Sequence, residues 1–435
     1  MLKKKIFFIS KNFNKYKLGE LFFLTGIFFL CSSIVLAGIF LIPSLIYGSV
    51  LQFRKNFFSK NPWQISFLIC GILIIFNALL QKFIIPNKFP EIWDPNLSLI
   101  GTANWIPLFW VFWACQPFLN STEKRRTFSL IILAGSFPLL LTGFGQYYFN
   151  WIGPYRTLNG LITWYLRPTV DNIGNLTGLF NNANYTGTWF NLILPFCIAF
   201  VFEKTKNFFK KSISISFLIA IGFSIFLTNS RNAWLGLSLV LPLFIGKEGI
   251  ILIIFGVFLL IFLISPIFSG ELQSNLINLL PDVISSQIDI SGYDENTRLN
   301  LLVSAIEYIK MSPITGIGAA SFPSIYQLEK DIYYGHSHNL FTELAVSYGV
   351  PVTIIFAGSI ISLLVVSYDK IFLRKKKTKN ISFIERAFWV SVFFFFISQL
   401  ADIQYFEGRI SILLWILIAA LKNIIEENTT RKKLT

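Results

Sequence analysis

A chain of 435 residues that is 54% apolar and only 14% charged, with 48 phenylalanines, is too apolar for a soluble globule and reads as a polytopic membrane protein. Its formal charge of +15 does not mark a nucleic-acid binder, because the basic residues gather in short clusters between apolar runs, as in cytoplasmic loops of membrane proteins. The four cysteines, Cys31, Cys70, Cys115 and Cys197, each lie inside an apolar run, which speaks against a disulfide framework or a zinc site built on them.

The N-terminus begins with Lys3, Lys4 and Lys5 and turns apolar at Leu18. That stretch is too long for a signal peptide and lacks a small-residue cleavage site, so a retained span is expected. Runs long enough to cross a hydrocarbon core of about 30 Å fall at 18–34, 36–53, 64–82, 101–119, 128–149, 186–202, 212–228, 232–246, 249–267, 349–368, 385–403 and 409–424. Residues 18–53 as one helix would reach about 54 Å, too long for a single crossing without extreme tilt. Charge separates the two choices. With two spans there and both termini inside, 28 of the 37 Lys and Arg residues lie on the inner side; with one span, only 15 do. The positive-inside rule selects the first.

The expected fold is therefore an all-α polytopic membrane protein with about 12 transmembrane helices. Residues 1–267 carry about nine spans, 268–348 form a large outer loop containing amphipathic helices, and 349–435 carry about three spans and a basic cytoplasmic tail. Nine basic residues stay outside against the charge bias: Lys82, Lys88, Arg156, Arg167, Arg231, Arg298, Lys310, Lys330 and Arg409.

The outer segments supply the polar chemistry. "NIGNLTGLFNNANYTG" (172–187) is rich in Asn and Gly, suited either to sugar hydroxyls or to tight turns. "LTNSRNAWLG" (227–236) puts Arg231 in a short outer turn, where it either snorkels or presents its guanidinium fork to a phosphate at headgroup depth. Residues 295–318, "ENTRLNLLVSAIEYIKMSPITGIG", predict an amphipathic helix capped by Asn296 or Thr297, with an apolar stripe of Leu299, Leu302, Val303 and Ile306. Arg298 would sit in its first turn, where the helix dipole disfavours a cation; an anionic ligand offsets that cost, as would Asp294 or Glu295.

"YYGHSHNLFTELAVSYGVP" (333–351) holds both histidines. With Ser337 as N-cap, Leu340, Phe341, Leu344 and Ala345 line one face of a short helix expected to lie on the membrane, and His338 falls in its first turn. The positive end of the dipole there favours a neutral imidazole, suited to act as a general base. The H-x-H pair lacks a third ligand at a telling spacing, so no metal is expected. Asp402, Glu407 and Arg409, at the outer ends of the last two spans, are expected to pair with one another.

Four stretches, "TGLFNNANYTG", "TNSRNAWLG", "TRLNLLVSAIEYIKMSPITGIG" and "HSHNLFTELAVSYGVP", resemble the O-antigen ligase and polymerase superfamily of bacterial inner-membrane glycosyltransferases. His338-Asn339, nine residues, then Gly349 matches the ligases' hallmark; Val352 departs at its last position, and Ala183 stands where relatives often have Pro. The resemblance implies a GT-C-like fold and a metal-independent, cofactor-free transfer of a polysaccharide from undecaprenyl diphosphate to an acceptor hydroxyl, on lipid A-core or another glycan. It implies His338 as the base and Arg231 and Arg298 as holders of the diphosphate. Asn184, Asn339, Arg156, Arg167 and His336 are further candidates for substrate contact. The implied location is the inner membrane, among its lipids, with the reaction at the periplasmic face and no role for nucleic acid. A polymerase extending the carrier-linked glycan is the nearest alternative. An inorganic-carbon (bicarbonate) transporter is a third, which would call for paired ionisable residues at mid-span.

Overall fold

The computed structural model describes residues 15–54, 61–85, 91–168, 173–203, 205, 207–264, 296–373 and 383–433. The basic N-terminus, Lys88, residues 265–295 with Asp294 and Glu295, and the 374–380 cluster lie outside them.

The first apolar run is two helices, α1 (Lys15–Leu30) and α2 (Ile34–Arg54). The Ser33 hydroxyl accepts from the Leu36 N–H (3.3 Å) and starts α2, and the two helices pack against each other. Next come α3 (Pro62–Phe83), capped by Asn61 with Pro62 in its first turn, then the short α4 (Asn96–Gly101), α5 (Ile106–Ala114) and α6 (Thr122–Phe149). A two-stranded hairpin, β1 (Tyr155–Thr157) and β2 (Ile162–Trp164), pairs antiparallel with Arg156 opposite Thr163. Helices α7 (Ala183–Phe202), α8 (Phe208–Leu227), α9 (Arg231–Ile245) and α10 (Lys247–Ile264) follow. After them stand α11 (Asn296–Met311), α12 (Ser321–Lys330), α13 (Leu340–Tyr348), α14 (Val350–Tyr368), α15 (Phe383–Ser398) and α16 (Gly408–Lys433).

Among the described residues, eight helical stretches are long and apolar enough to cross a membrane: α2, α3, the α4–α5 segment, α6, α7, α8, α14 with its π-helical extension, and α16. The chain is a multi-pass, mostly helical membrane protein. The other four predicted spans coincide with α1, α9, α10 and α15, which are not among those eight.

Two helices form the centre. The most apolar stretches of α7 and α16 are each 83% buried, against 22% for α8. Trp189 of α7 donates its indole N–H to Ser136 of α6 (2.9 Å), and Asn191 of α7 donates to the Ala233 carbonyl of α9 (2.9 Å). Such bonds join helices where lipid tails offer no polar competition. All four cysteines are buried and unpaired.

At the end of the bundle remote from the histidines, Arg125 at the start of α6 is fully buried. It bonds Glu427 of α16 (2.6 Å), Glu385 of α15 (3.2 Å) and the Leu119 carbonyl (3.0 Å). Removing one partner of a buried ion pair strands the other's charge. Arg125→Met is therefore expected to destabilise the bundle by about 3–5 kcal/mol, read as earlier unfolding in mixed micelles, with Glu427→Gln, at a more exposed position, costing less.

Beside the histidines, α11, α12 and α13 enclose a second, smaller core of Leu301, Ala305, Tyr308, Phe322, Ile325 and Val346. This corrects two expectations. The predicted stripe of α11 is not its buried face: Leu299, Val303 and Ile306 are exposed, whereas Leu301, Ser304, Ala305 and Tyr308 are buried at equally helical spacing. Nor does α13 lie on the membrane surface: Leu340, Leu344, Val346 and Tyr348 are buried against α3, α11, α12 and α14.

Candidate functional site

The two-histidine segment is set by the cap of α13. The Asn339 side-chain oxygen accepts from the N–H groups of Phe341 (2.9 Å) and Thr342 (3.2 Å), while its amide nitrogen donates to the Leu400 carbonyl (3.2 Å). Asn339, not Ser337, is thus the N-cap, and the candidate substrate-contacting amide of Asn339 has a structural use. Ser337 instead donates its N–H to the buried Glu343 carboxylate (3.0 Å), whose pKa burial raises despite that bond. Nine helical residues later, Gly349 has φ +92°, and a Cβ there would stand 2.1 Å from the Ile314 carbonyl oxygen. The spacing His-Asn, nine residues, Gly therefore encodes a cap, one short helix and a turn only glycine fits.

His338 lies just ahead of the cap, outside the helix, so the dipole argument for its neutrality does not hold. Its backbone is left-handed at φ +55°, a conformation costing a β-carbon residue roughly 1–2 kcal/mol. The His336 ring supports it: Nδ1 accepts the His338 N–H at 3.1 Å. Burial, then the neighbouring His338 charge, push the His336 pKa down to about 4, with Asp402 opposing. His336 is consequently neutral at physiological pH, as its acceptor role requires. Because its folded pKa is depressed, the associated stability is present above about 6.5 and is lost as pH falls toward about 4. Hydrogen exchange of residues 334–339 is expected to accelerate over that window, and to do so less in His336→Asn.

The partner of His338 is Asp402, in the connection between α15 and α16. His338 Nδ1 lies 2.9 Å from Asp402 Oδ1. Oδ1 also accepts the Ile403 N–H (3.0 Å), and Oδ2 accepts from Asn184 (3.1 Å) and Gln404 (2.7 Å). Burial alone would raise this carboxyl's pKa. The His338 hydrogen bond and the nearby charges of His338, His336 and Arg298 outweigh it and hold the pKa below the usual carboxylate range. An ionised carboxylate only accepts, so His338 donates from Nδ1, and the neutral tautomer that fits this bond carries its lone pair on Nε2. The expected trio of Asp402, Glu407 and Arg409 is corrected accordingly: Glu407 and Arg409 pair with each other (2.6 Å), and Asp402 serves the histidine.

Two relays tie the start of α9 to this dyad. The hydroxyl of Ser230, the α9 N-cap, donates to Asn184 Oδ1 (2.7 Å), and Asn232 donates to Gln404 (3.2 Å). Arg231 is the first, exposed residue of that helix. Arg298 is exposed in the first turn of α11 and near enough to Asp402 to stabilise its charge. The structure thus brings His336, His338, Asn184 and Arg298 to one place at one end of the bundle and joins the helix of Arg231 to it. Arg156 stands exposed on β1, and Arg167 donates to the Gly153 carbonyl (2.9 Å); neither contacts the dyad. Sequence reasoning missed the pairing of Asp402 with His338 and the places of Gln404, Ser230 and Asn232 around it.

Asp402 also supplies the third donor that the H-x-H pair lacked. Ligand atoms of His336, His338 and Asp402 lie within 4.8 Å of one another, a set able to hold a cation. Each histidine's Nδ1 is already engaged, one by the His338 N–H and the other by Asp402, and a cation taking Asp402 Oδ1 would displace the latter bond. As it stands, the arrangement is a carboxylate-bound imidazole with the Arg298 guanidinium within electrostatic reach.

Residues 215–357 match the family Wzy_C, described as O-antigen ligase. Through that segment the chain is similar to the O-antigen ligase superfamily. The matched segment covers roughly a third of the chain and includes Arg231, Arg298, His336 and His338, but neither Asn184 nor Asp402. No curated protein matches the chain. The match supports, in general terms, a ligase or polymerase type of function in a membrane setting with lipid-linked glycans.

Proposed function

We propose that the protein moves a polysaccharide from undecaprenyl diphosphate to an acceptor hydroxyl, on lipid A-core or another glycan, at the periplasmic face of a bacterial inner membrane. The observation that carries this is the His338–Asp402 pair at 2.9 Å, within electrostatic reach of Arg298. The twelve-span layout, GT-C-like architecture, three-part division of the chain and cytoplasmic termini belong to the same reading.

In this scheme Nε2 of His338 removes the acceptor's hydroxyl proton as the oxygen bonds to the anomeric carbon of the donor sugar. The bond from that carbon to the diphosphate oxygen breaks, and the carrier leaves as diphosphate. Asp402 keeps the imidazole in the required tautomer and stabilises the imidazolium that forms. Arg231 and Arg298 neutralise charge growing on the leaving group, which their planar donor forks suit. Lewis-acid help is then unnecessary, and EDTA is expected to leave the rate unchanged.

A His338→Ala strain of the producing cell tests the reading when surface polysaccharide and carrier-linked glycan are measured together. Loss of surface attachment with long carrier-linked chains accumulating supports a ligase. Attachment of single repeats only supports the polymerase alternative. Unchanged glycans with impaired bicarbonate uptake would sink both in favour of a transporter.

A further inference from the structure

A cavity of about 520 Å³ opens on the outer face between the α1–α2 turn, the β hairpin and the first turn of α16. Its walls include Ser32, Trp164, Tyr165, Asn181, Glu407 and Arg409. We propose that it is the acceptor subsite and holds an uncharged saccharide ring; the acceptor assignment rests on the glycan-transfer reading above.

The walls combine flat apolar faces with hydroxyl and amide groups. Trp164 is pinned by its indole N–H to the Ser32 carbonyl (2.6 Å), and Tyr165 next to it is 57% exposed. Such rings pack against the C–H face of a pyranose while keeping a polar edge wet. The Asn181 oxygen takes the Arg167 N–H (3.0 Å), which fixes the amide and leaves its nitrogen as a donor. The volume lies in the range of small-molecule sites, roughly 300–1,000 Å³.

Charge argues against a phosphate. The two charged wall residues neutralise each other, Arg409 Nε to Glu407 at 2.6 Å. Arg409 further donates to the Cys31 and Leu179 carbonyls (both 3.2 Å) and covers the Phe180 ring at 3.8 Å. A diphosphate would find no uncommitted cation there, whereas hydroxyls would find neutral donors and acceptors.

Position assigns the substrate. Asn181 immediately precedes the α7 cap, three residues before Asn184, which grips Asp402. Glu407 closes the connection that carries Asp402. The phosphate-directed arginines come from α9 and α11, and this cavity is walled by other elements, so the two flank the dyad through different parts of the fold. A displacement needs its two partners delivered separately to the base.

The test measures binding without turnover, on the purified full chain in micelles. The probe is a dye-labelled, uncharged oligosaccharide released from the producing cell's surface glycolipid, followed by fluorescence anisotropy. Gly408→Trp fills the cavity without strain, because a Cβ at Gly408 meets nothing within 4 Å. Tyr165→Ala is expected to weaken binding about 5–10-fold through loss of one ring contact. Gly408→Trp is expected to abolish it, and Arg298→Ala to leave it unchanged.

Absence of binding to the wild type, equal binding to both cavity variants, or displacement of the probe by anionic phospholipid would overturn the proposal. If transfer proceeds and neither cavity variant alters probe affinity or acceptor KM, the subsite fails and the transferase reading stands. If the probe binds in the cavity and no glycan transfer is found, the saccharide site stands, its acceptor assignment falls, and the transferase reading fails.

Discussion

Replacing His338 with alanine is expected to slow glycan transfer by about 10²–10⁴-fold, the usual contribution of a positioned general base. Donor affinity should change little, because the arginines proposed to hold the diphosphate stand on α9 and α11, apart from the loop that carries the imidazole. A KM-against-kcat split in single-turnover assays separates this from misfolding: kcat falls and KM does not. Asn339 caps α13 independently of the ring, so the helix should persist in the variant. Circular dichroism and thermal unfolding in micelles check that point.

Asp402→Asn is the sharper probe, because it keeps shape and removes charge. In the native site the carboxylate accepts from His338 Nδ1. An amide nitrogen placed there donates instead, forcing the proton onto Nε2 and removing the lone pair proposed to act as the base. A loss of about 10²–10⁴-fold in kcat is expected, as for a dyad whose orienting acid is lost. The tautomer switches in the orientation that keeps the amide oxygen on its two side-chain donors, Asn184 and Gln404, and turns its nitrogen to His338; the opposite orientation keeps the His338 and Ile403 bonds and the native tautomer. Nitrogen NMR of labelled histidine should report the exchange of tautomers directly. A merely structural Asp402 would lower stability without moving that signal.

The contrast between what the residues announced and what they concealed has physical causes. That the first apolar run is two helices was legible because membrane thickness and loop charge forbid one long helix; the turn falls at Cys31–Ser33 rather than at 35, with Ser33 capping α2. The glycine at 349 was legible as part of a spaced pattern, and its reason emerged only from its approach to Ile314.

The face of α11 was ambiguous in principle: Leu299, Val303 and Ile306 compete with Leu301, Ala305 and Tyr308 at the same period, and tertiary packing decided for the second set. Ser337 and Asn339 are both good caps, two residues apart, and Asn339 won because its amide also reaches Leu400. Asp402 was hidden because it lies 64 positions from His338, beyond any local rule, beside charged neighbours that offered a simpler pairing. The arginines and histidine were visible as polar residues kept outside an apolar chain. The carboxylate that organises them required the fold.

The most direct test of the account follows release of carrier diphosphate by the purified chain, given a diphosphate-linked glycan and an acceptor saccharide in EDTA, across pH for wild type, His338→Ala and Asp402→Asn. The account predicts EDTA-resistant transfer by the wild type that both substitutions reduce by about two orders of magnitude or more. Transfer that survives in His338→Ala, or that stops in EDTA and returns with a divalent cation, would contradict it.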